Sequence, residues 1–335
     1  MQVLGREKTL EKWLLTYIIA CFNNLKFLLL RWSLPSLDLT IKSLGNYSIK
    51  LCLLLLNVCI ALSGEKTDTE IESHFRRFNI EDAPVSPVEG DSFAVSVQNL
   101  ALEQREEAIF EEISMGNIPD FLRTPIPVKF SKRIGEINYQ VSFFVMPDYL
   151  AIGTDENYFL MPMTPILAQR IMDKIGGILP TKRMVDLIWS DSKLKLEPTP
   201  IKPSNAMVTI PVFDQHNKMV RDSRAAYRGE SPLGSLVSGH KKDIILSRQS
   251  TIKKVVIYGW HHRDGQIIQP TYSGHVNWYV DYSHGVRVVM ANCIVNDKVM
   301  DINNVLLDPI LFSLFSDESG PHEWTRYDTS SLNYR

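Results

Sequence analysis

The chain has 335 residues, 44% of them hydrophobic, and its 36 basic and 38 acidic residues leave a formal net charge of -2. That length allows one large domain or two ordinary ones, with enough chain to bury a sizeable core. The balanced charge gives no broad basic footprint, so nucleic acid is not an expected partner.

Residues 1–64 differ from the rest. They carry two apolar runs, Trp13 to Ala20 with Phe27 to Leu30, and Leu51 to Leu62. Lys50 precedes the second run and Ala61-Leu62-Ser63 has the small-x-small form of a cleavage site, so this run reads as a secretory signal cleaved near Ser63 or Gly64. Its core of about twelve residues falls short of the roughly twenty that span a bilayer, which favours removal over anchoring. An uncleaved anchor, or a genuine membrane segment in the earlier run, is the alternative. Residues upstream of the signal read as an N-terminal extension. The expected location is periplasmic or extracellular, with membrane contact only through an uncleaved N-terminus. Cys21, Cys52 and Cys59 precede the cleavage point, which leaves Cys293 as a small core residue in a chain without an intramolecular disulfide.

Residues 65–91 read as a polar linker, residues 92–320 as a single globular domain and 321–335 as a polar tail. Within the domain, one apolar stripe predicts a helix from Leu100 to Met115, stopped by Gly116-Asn117. From Pro125 to Leu160 alternation predicts short strands, around Val128 and Phe130, through Val141, Phe143 and Val145, and from Tyr149 to Ile152, arranged as an antiparallel meander. Two capped helices follow, one from Thr164-Pro165 to Gly176-Gly177, the other from Thr181 to about Ser192. Leu196 to Asn205 reads as a surface crossing, Val208 to Phe213 as a buried strand and Ala225 to Gly239 as a loop. Lys253 to Tyr258, Val286 to Val295 and Lys298 to Met300 read as strands, the last two joined by a tight turn at Asn296-Asp297. A final apolar helix is expected from Val305 to Phe315. Mixed order without regular strand–helix alternation predicts an α+β fold with a largely antiparallel sheet and helices packed against it.

Six of the eight histidines follow Ser238, and five lie between Gly239 and Gly285 in three polar clusters. These are Gly239-His240-Lys241-Lys242-Asp243, Tyr258-Gly259-Trp260-His261-His262, and Ser273-Gly274-His275 with Asp281-Tyr282-Ser283-His284-Gly285. Imidazole is the side chain best suited to moving protons or ligating metal near neutral pH, so this stretch is the expected site. The candidate catalytic residues are His240, Lys242, Asp243, His261, His275, Asp281 and His284. Trp260, Gln269, Tyr272, Trp278 and Tyr282 are the candidate substrate-binding residues, and the aromatic ones among them form an aromatic wall with Tyr279. His74 and His322 are expected to be solvated, and His216 stands as an outside candidate for the same cleft.

Ser273, His275 and Asp281 resemble the Ser-x-His-x6-Asp motif of the zinc D-Ala-D-Ala peptidases. That resemblance implies zinc held by His275 and Asp281, for which His284 is the nearest third ligand, with His240, His261 and His262 behind it. Trp278 and Val280 stand where that family prefers small residues, and no Glu-x-x-His follows. Over roughly Asn117 to Gly320 the chain resembles an uncharacterised family of exported bacterial proteins. The segments that carry this resemblance are Asn117 to Arg123, Asp148 to Gly153, Met161 to Thr164, His240 to Asp243, Tyr258 to His261 and Asp281 to Gly285. It implies export and one shared architecture. The expected function is hydrolysis of a cell-wall peptide or amide bond, by zinc or by a His/Asp general base attacking through Ser273, Ser283 or water. The alternative is a non-catalytic secreted protein that binds glycan or peptide on the same surface.

Overall fold

The computed structural model describes residues 75–250 and 253–329. The proposed signal, the three cysteines before it and His74 lie outside the described residues. Everything described falls in one unit, Asp68–Arg335. Phe75, Phe78 and Ile80, in the segment read as a polar lead-in, are buried, with Phe75 stacked on Phe144 at 4.0 Å between centroids.

The architecture is α+β, with six helices and mostly antiparallel sheets among the described residues. Helix α1 (Gly90–Val97), which the sequence reading missed, precedes α2 (Leu102–Ser114), and α2 ends where Gly116 adopts φ 80°. Strands β1 (Ile126–Ile134) and β2 (Ile137–Val145) form the expected hairpin. The meander stops there, because β3 (Ala151–Gly153) pairs only with β4 (Tyr158–Leu160). The second partner of β2 comes from far along the chain, β12 (Val289–Val295). On the other side of β12 lie β13 (Lys298–Asp301) and the short β5 (Gly177–Ile178), completing a five-stranded sheet. Val141, Phe143 and Val145 from β2, and Val289, Cys293 and Val295 from β12, anchor the main core. Each such apolar side chain contributes roughly 1.5–3 kcal/mol by leaving water.

Helix α3 (Pro165–Ile175) starts and stops for local reasons. Thr164 Oγ1 accepts from the Leu167 amide, Pro165 supplies a preset first turn, and Gly176 closes the helix in the left-handed region. The buried Glu106 of α2 accepts from both the amide and the hydroxyl of Thr164, at 2.6 and 2.7 Å, which locks α2 onto that cap. Thr181 caps α4 (Lys182–Asp191) in the same way.

Two expectations fail here. Val208 to Phe213 is not a strand but the entry to α5 (Ile210–Ala225), with Pro211 in its first turn. Its buried positions, Ile210, Phe213, His216, Asn217, Val220 and Arg224, keep helical spacing, but half are polar, so an apolar count breaks off at Phe213. The final helix is also shorter: α6 (Ile302–Leu307) breaks at Asp308-Pro309, and a 3-10 turn, Leu311–Leu314, follows.

The second sheet carries the histidine region. Its order is β10 (Ile267–Tyr272), β9 (Ile257–His261), β8 (Lys242–Ile244), β11 (His284–Gly285). The β8–β11 contact is parallel, as is the small pair β6 (Leu194–Lys195) with β7 (Val237–Ser238).

Candidate functional site

Register divides the candidate residues between two faces of this sheet. Lys242 pairs with His284 and Gly259, whereas Asp243 pairs with Gly285 and Tyr258. Side chains paired across strands share a face and successive ones alternate, so Lys242 and His284 stand on one side and Asp243 and Tyr258 on the other. One expected cleft is therefore two clusters.

A backbone irregularity sharpens the division. Gly259 and Trp260 both have positive φ, 103° and 60°, the latter in a sparsely populated region for a bulky side chain. Simple alternation would put Trp260 beside Tyr258. Instead its indole lies beneath the Lys242 ammonium, with Nζ 5.0 Å from the ring centroid, and His261 joins Tyr258 on the opposite face.

On the Lys242 face Asp281 is the hub. Its Oδ1 accepts from the Ser283 amide at 2.8 Å and the Ser283 hydroxyl at 2.5 Å, while Oδ2 accepts from the Tyr279 hydroxyl at 3.2 Å. His284 Nε2 lies 3.9 Å from Oδ2, beyond hydrogen-bond reach, and among the described residues neither nitrogen of this wholly buried ring has a hydrogen-bond partner. Burial pushes the His284 imidazole down to about 4, against the pull of Asp281. Burial acts to raise Asp281, but the facing His284 and Lys242 and the Ser283 hydrogen bonds outweigh it and hold the carboxyl low. Around neutral pH the pair is a carboxylate facing a neutral imidazole. His275, half-buried, stacks on Tyr279 at 4.0 Å, and Tyr279 meets His284 at 5.8 Å with the rings steeply inclined.

The Asp243 face is a closed polar network. Asp243 Oδ2 accepts from Tyr149 Oη at 2.8 Å, and Asp186 Oδ1 contacts Tyr258 Oη at 2.6 Å and His261 Nε2 at 3.2 Å. His240 Nε2 meets Asp148 Oδ1 at 3.0 Å. Arg287 donates to the carbonyls of Met146 and Val237 and lies over the Tyr149 ring at 4.1 Å. Tyr149, Trp189, Ser238, Asp243, His261 and Arg287 help enclose a cavity of about 10 Å³, enough for one water molecule. Burial pushes the Asp243 carboxyl up to about 6. Lys241 lies in the electrostatic reach of both Asp281 and Asp148; it donates to the Tyr282 carbonyl at 2.7 Å, and burial brings its ammonium down to about 7.

Of the expected binding residues, Tyr272 and Trp278 are exposed, at 44% and 39%. Trp260 and Tyr282 are buried and pack with His216 in the interior. Gln269 pairs with Gly259 across the sheet and donates to the Pro270 carbonyl. His262 pairs with Glu197 at the surface. His322 is buried beside Ser316 and Glu318 rather than solvated. Ser283 commits its hydroxyl to Asp281 and Ser273 donates to Gln249. Five residues separate His275 from Asp281, against six in the zinc-peptidase motif, and among the described residues no group of three or more His, Cys, Asp or Glu is arranged to hold a metal ion.

Sequence reasoning missed Asp186, Tyr149, Arg287 and Lys241, and placed Tyr279 only in the aromatic wall. The signal for Lys241 was its place between His240 and Lys242, whereas Asp148 registered as a turn residue and Tyr149 as the start of a strand, each within a segment that carried only a resemblance. Comparison of the chain with family models, curated proteins and solved structures returns no match.

Proposed function

We propose that this chain is an exported hydrolase that cleaves a peptide or amide bond of an extracytoplasmic polymer such as the cell wall, using His284 and Asp281. The observation that carries this reading is the His284 ring, buried, neutral and, among the described residues, without a hydrogen-bond partner, facing a carboxylate that its neighbours keep charged. A buried polar group left unsatisfied costs roughly 1–3 kcal/mol, a cost that a base awaiting its reactant explains.

In the mechanism Asp281 Oδ2 closes the 3.9 Å gap to accept from Nε2–H, which orients the ring and leaves Nδ1 as the base. Water attacks the scissile carbonyl carbon and gives its proton to Nδ1. The C–N bond then breaks and the amine departs with that proton. Lys242, held over Trp260, supplies positive charge for the oxyanion. Ser283 serves by fixing Asp281 rather than by attacking.

The test is digestion of purified cell-wall sacculi, with soluble fragments read by mass spectrometry. Wild type is expected to release peptide, and His284→Gln to lower kcat by about two orders of magnitude or more. Metal content belongs to the same experiment: one zinc per chain, lost in His275→Ala, would instead assign His275, Asp281 and His284 as ligands. N-terminal sequencing of the secreted protein should begin near Ser63 or Gly64.

The exposed Tyr272 and Trp278 favour a second reading, a secreted protein that holds glycan or peptide without turnover. Retention on sacculi that Trp278→Ala abolishes, with no fragments released by wild type, would select it.

A further inference from the structure

A base that is wholly buried cannot meet water or substrate unless something moves, and the contacts around His284 identify what moves. Asp281 Oδ1 is fully engaged by Ser283, which pins the carboxylate. Oδ2 is contested: the Tyr279 hydroxyl holds it at 3.2 Å while His284 Nε2 waits at 3.9 Å. The other side of the contest reaches the surface. Tyr279 is only partly buried and its ring lies flat on His275, 4.0 Å away with an interplanar angle of 19°. His275 in turn meets the exposed Tyr272 at 5.1 Å, so aromatic rings run from solvent to the base in the order Tyr272, His275, Tyr279, His284.

We propose that Tyr279 is a positioning residue that keeps Asp281 Oδ2 from His284, so that withdrawal of its hydroxyl lets the carboxylate close on Nε2. The inference rests on the Asp281–His284 reading of the site. It adds a control step: in the free protein the dyad is open and the base is shut off from solvent, and release of the Tyr279 hydroxyl from Oδ2 completes it. Dyads whose hydrogen bonds are long in the free enzyme and tighten with substrate follow the same physics. The groups that face His284 are Asp281, Lys242, His275, Lys241 and Tyr279. Tyr279→Phe removes one hydroxyl and leaves the four charged or ionisable neighbours in place.

The test is titration of His284 in the free, full-length chain, followed through its Cε1–H carbon–proton NMR signal. In wild type the midpoint lies at about 4. In Tyr279→Phe, with Oδ2 free to close on Nε2, it is expected to rise by about one pH unit or more. A purely structural tyrosine would leave the midpoint of a folded variant in place. An unchanged or lower midpoint in Tyr279→Phe overturns the proposal, and Tyr279→Leu, which also lacks the hydroxyl, decides by the same criterion should the phenylalanine variant fail to fold. Neither readout uses turnover. A raised midpoint without any sacculus cleavage would keep the Tyr279 contest and remove the hydrolase reading, whereas cleavage with an unmoved midpoint would do the reverse.

Discussion

Replacing Asp243 with asparagine should make the protein more stable above neutral pH. The carboxyl is buried at 3% exposure, and burial lifts it from an ordinary value of 3.8 to about 6, against the opposing pull of Arg287 and the Tyr149 hydrogen bond. Below about pH 3.8 folded and unfolded chains both keep the proton. Between there and about 6 the unfolded chain has released a proton that the folded one retains, so stability falls as pH rises, and above 6 the loss is complete. At 1.36 kcal/mol per unit, a rise of about 2.2 units corresponds to about 3 kcal/mol. Asparagine is nearly isosteric, cannot ionise and still offers an oxygen to the Tyr149 hydroxyl, 2.8 Å away in the parent. Urea unfolding followed by tryptophan fluorescence should show Asp243→Asn ahead by up to about 3 kcal/mol at pH 8, with the advantage shrinking steadily toward pH 4. A variant that is less stable at pH 8, or a difference that pH does not alter, would refute the argument.

Three further substitutions test a buried histidine and a turn. His216 is wholly buried, and burial, with Lys241 and His240 behind it, pushes its ring down to about 2. Its folded value is depressed, so the stability it confers is present above about pH 6.5 and is lost as pH falls below that; His216→Leu should cost about 1 kcal/mol at pH 8 and outlast the parent at pH 4.5 in the same urea assay. In the β12–β13 turn, Asp297 has φ 63° and Asn296 φ 47°, while Asn296 Oδ1 accepts from the Gln140 amide at 2.8 Å. Asp297→Gly should raise the thermal midpoint through a gain of about 0.5 kcal/mol, whereas Asn296→Gly, which forfeits the Gln140 bond, should not.

What the sequence made legible was local. Thr164, Pro165, Gly176 and Thr181 act on backbone groups within a turn or so of themselves, and Asn296-Asp297 needs only its own dihedrals; both helices and the hairpin followed. Helix α5 was lost because His216, Asn217 and Arg224 occupy its buried face, where an apolar pattern expects none. The histidine stretch stood out by composition, but its division did not. Which face a residue takes depends on the register of β8 against β9 and β11, and on the positive φ of Trp260, neither of which alternation reveals. Partners such as Asp148, Tyr149 and Asp186 come from segments far back in the chain, and nothing in their immediate neighbourhood marks them as neighbours of imidazole.

The pairing that joins β8 to β11 is only two residues long and parallel, and along the chain the whole β9–β10 hairpin lies between its two strands. A pairing of that kind closes a long loop for few hydrogen bonds, so it forms after the local structure that makes the loop compact. Lys242 and His284 therefore come together among the last events of folding. A chain stalled part-way to its native state carries the residues of the site without their juxtaposition. Appearance of the paired Lys242–His284 environment during refolding would serve as a clock for the final step of assembly.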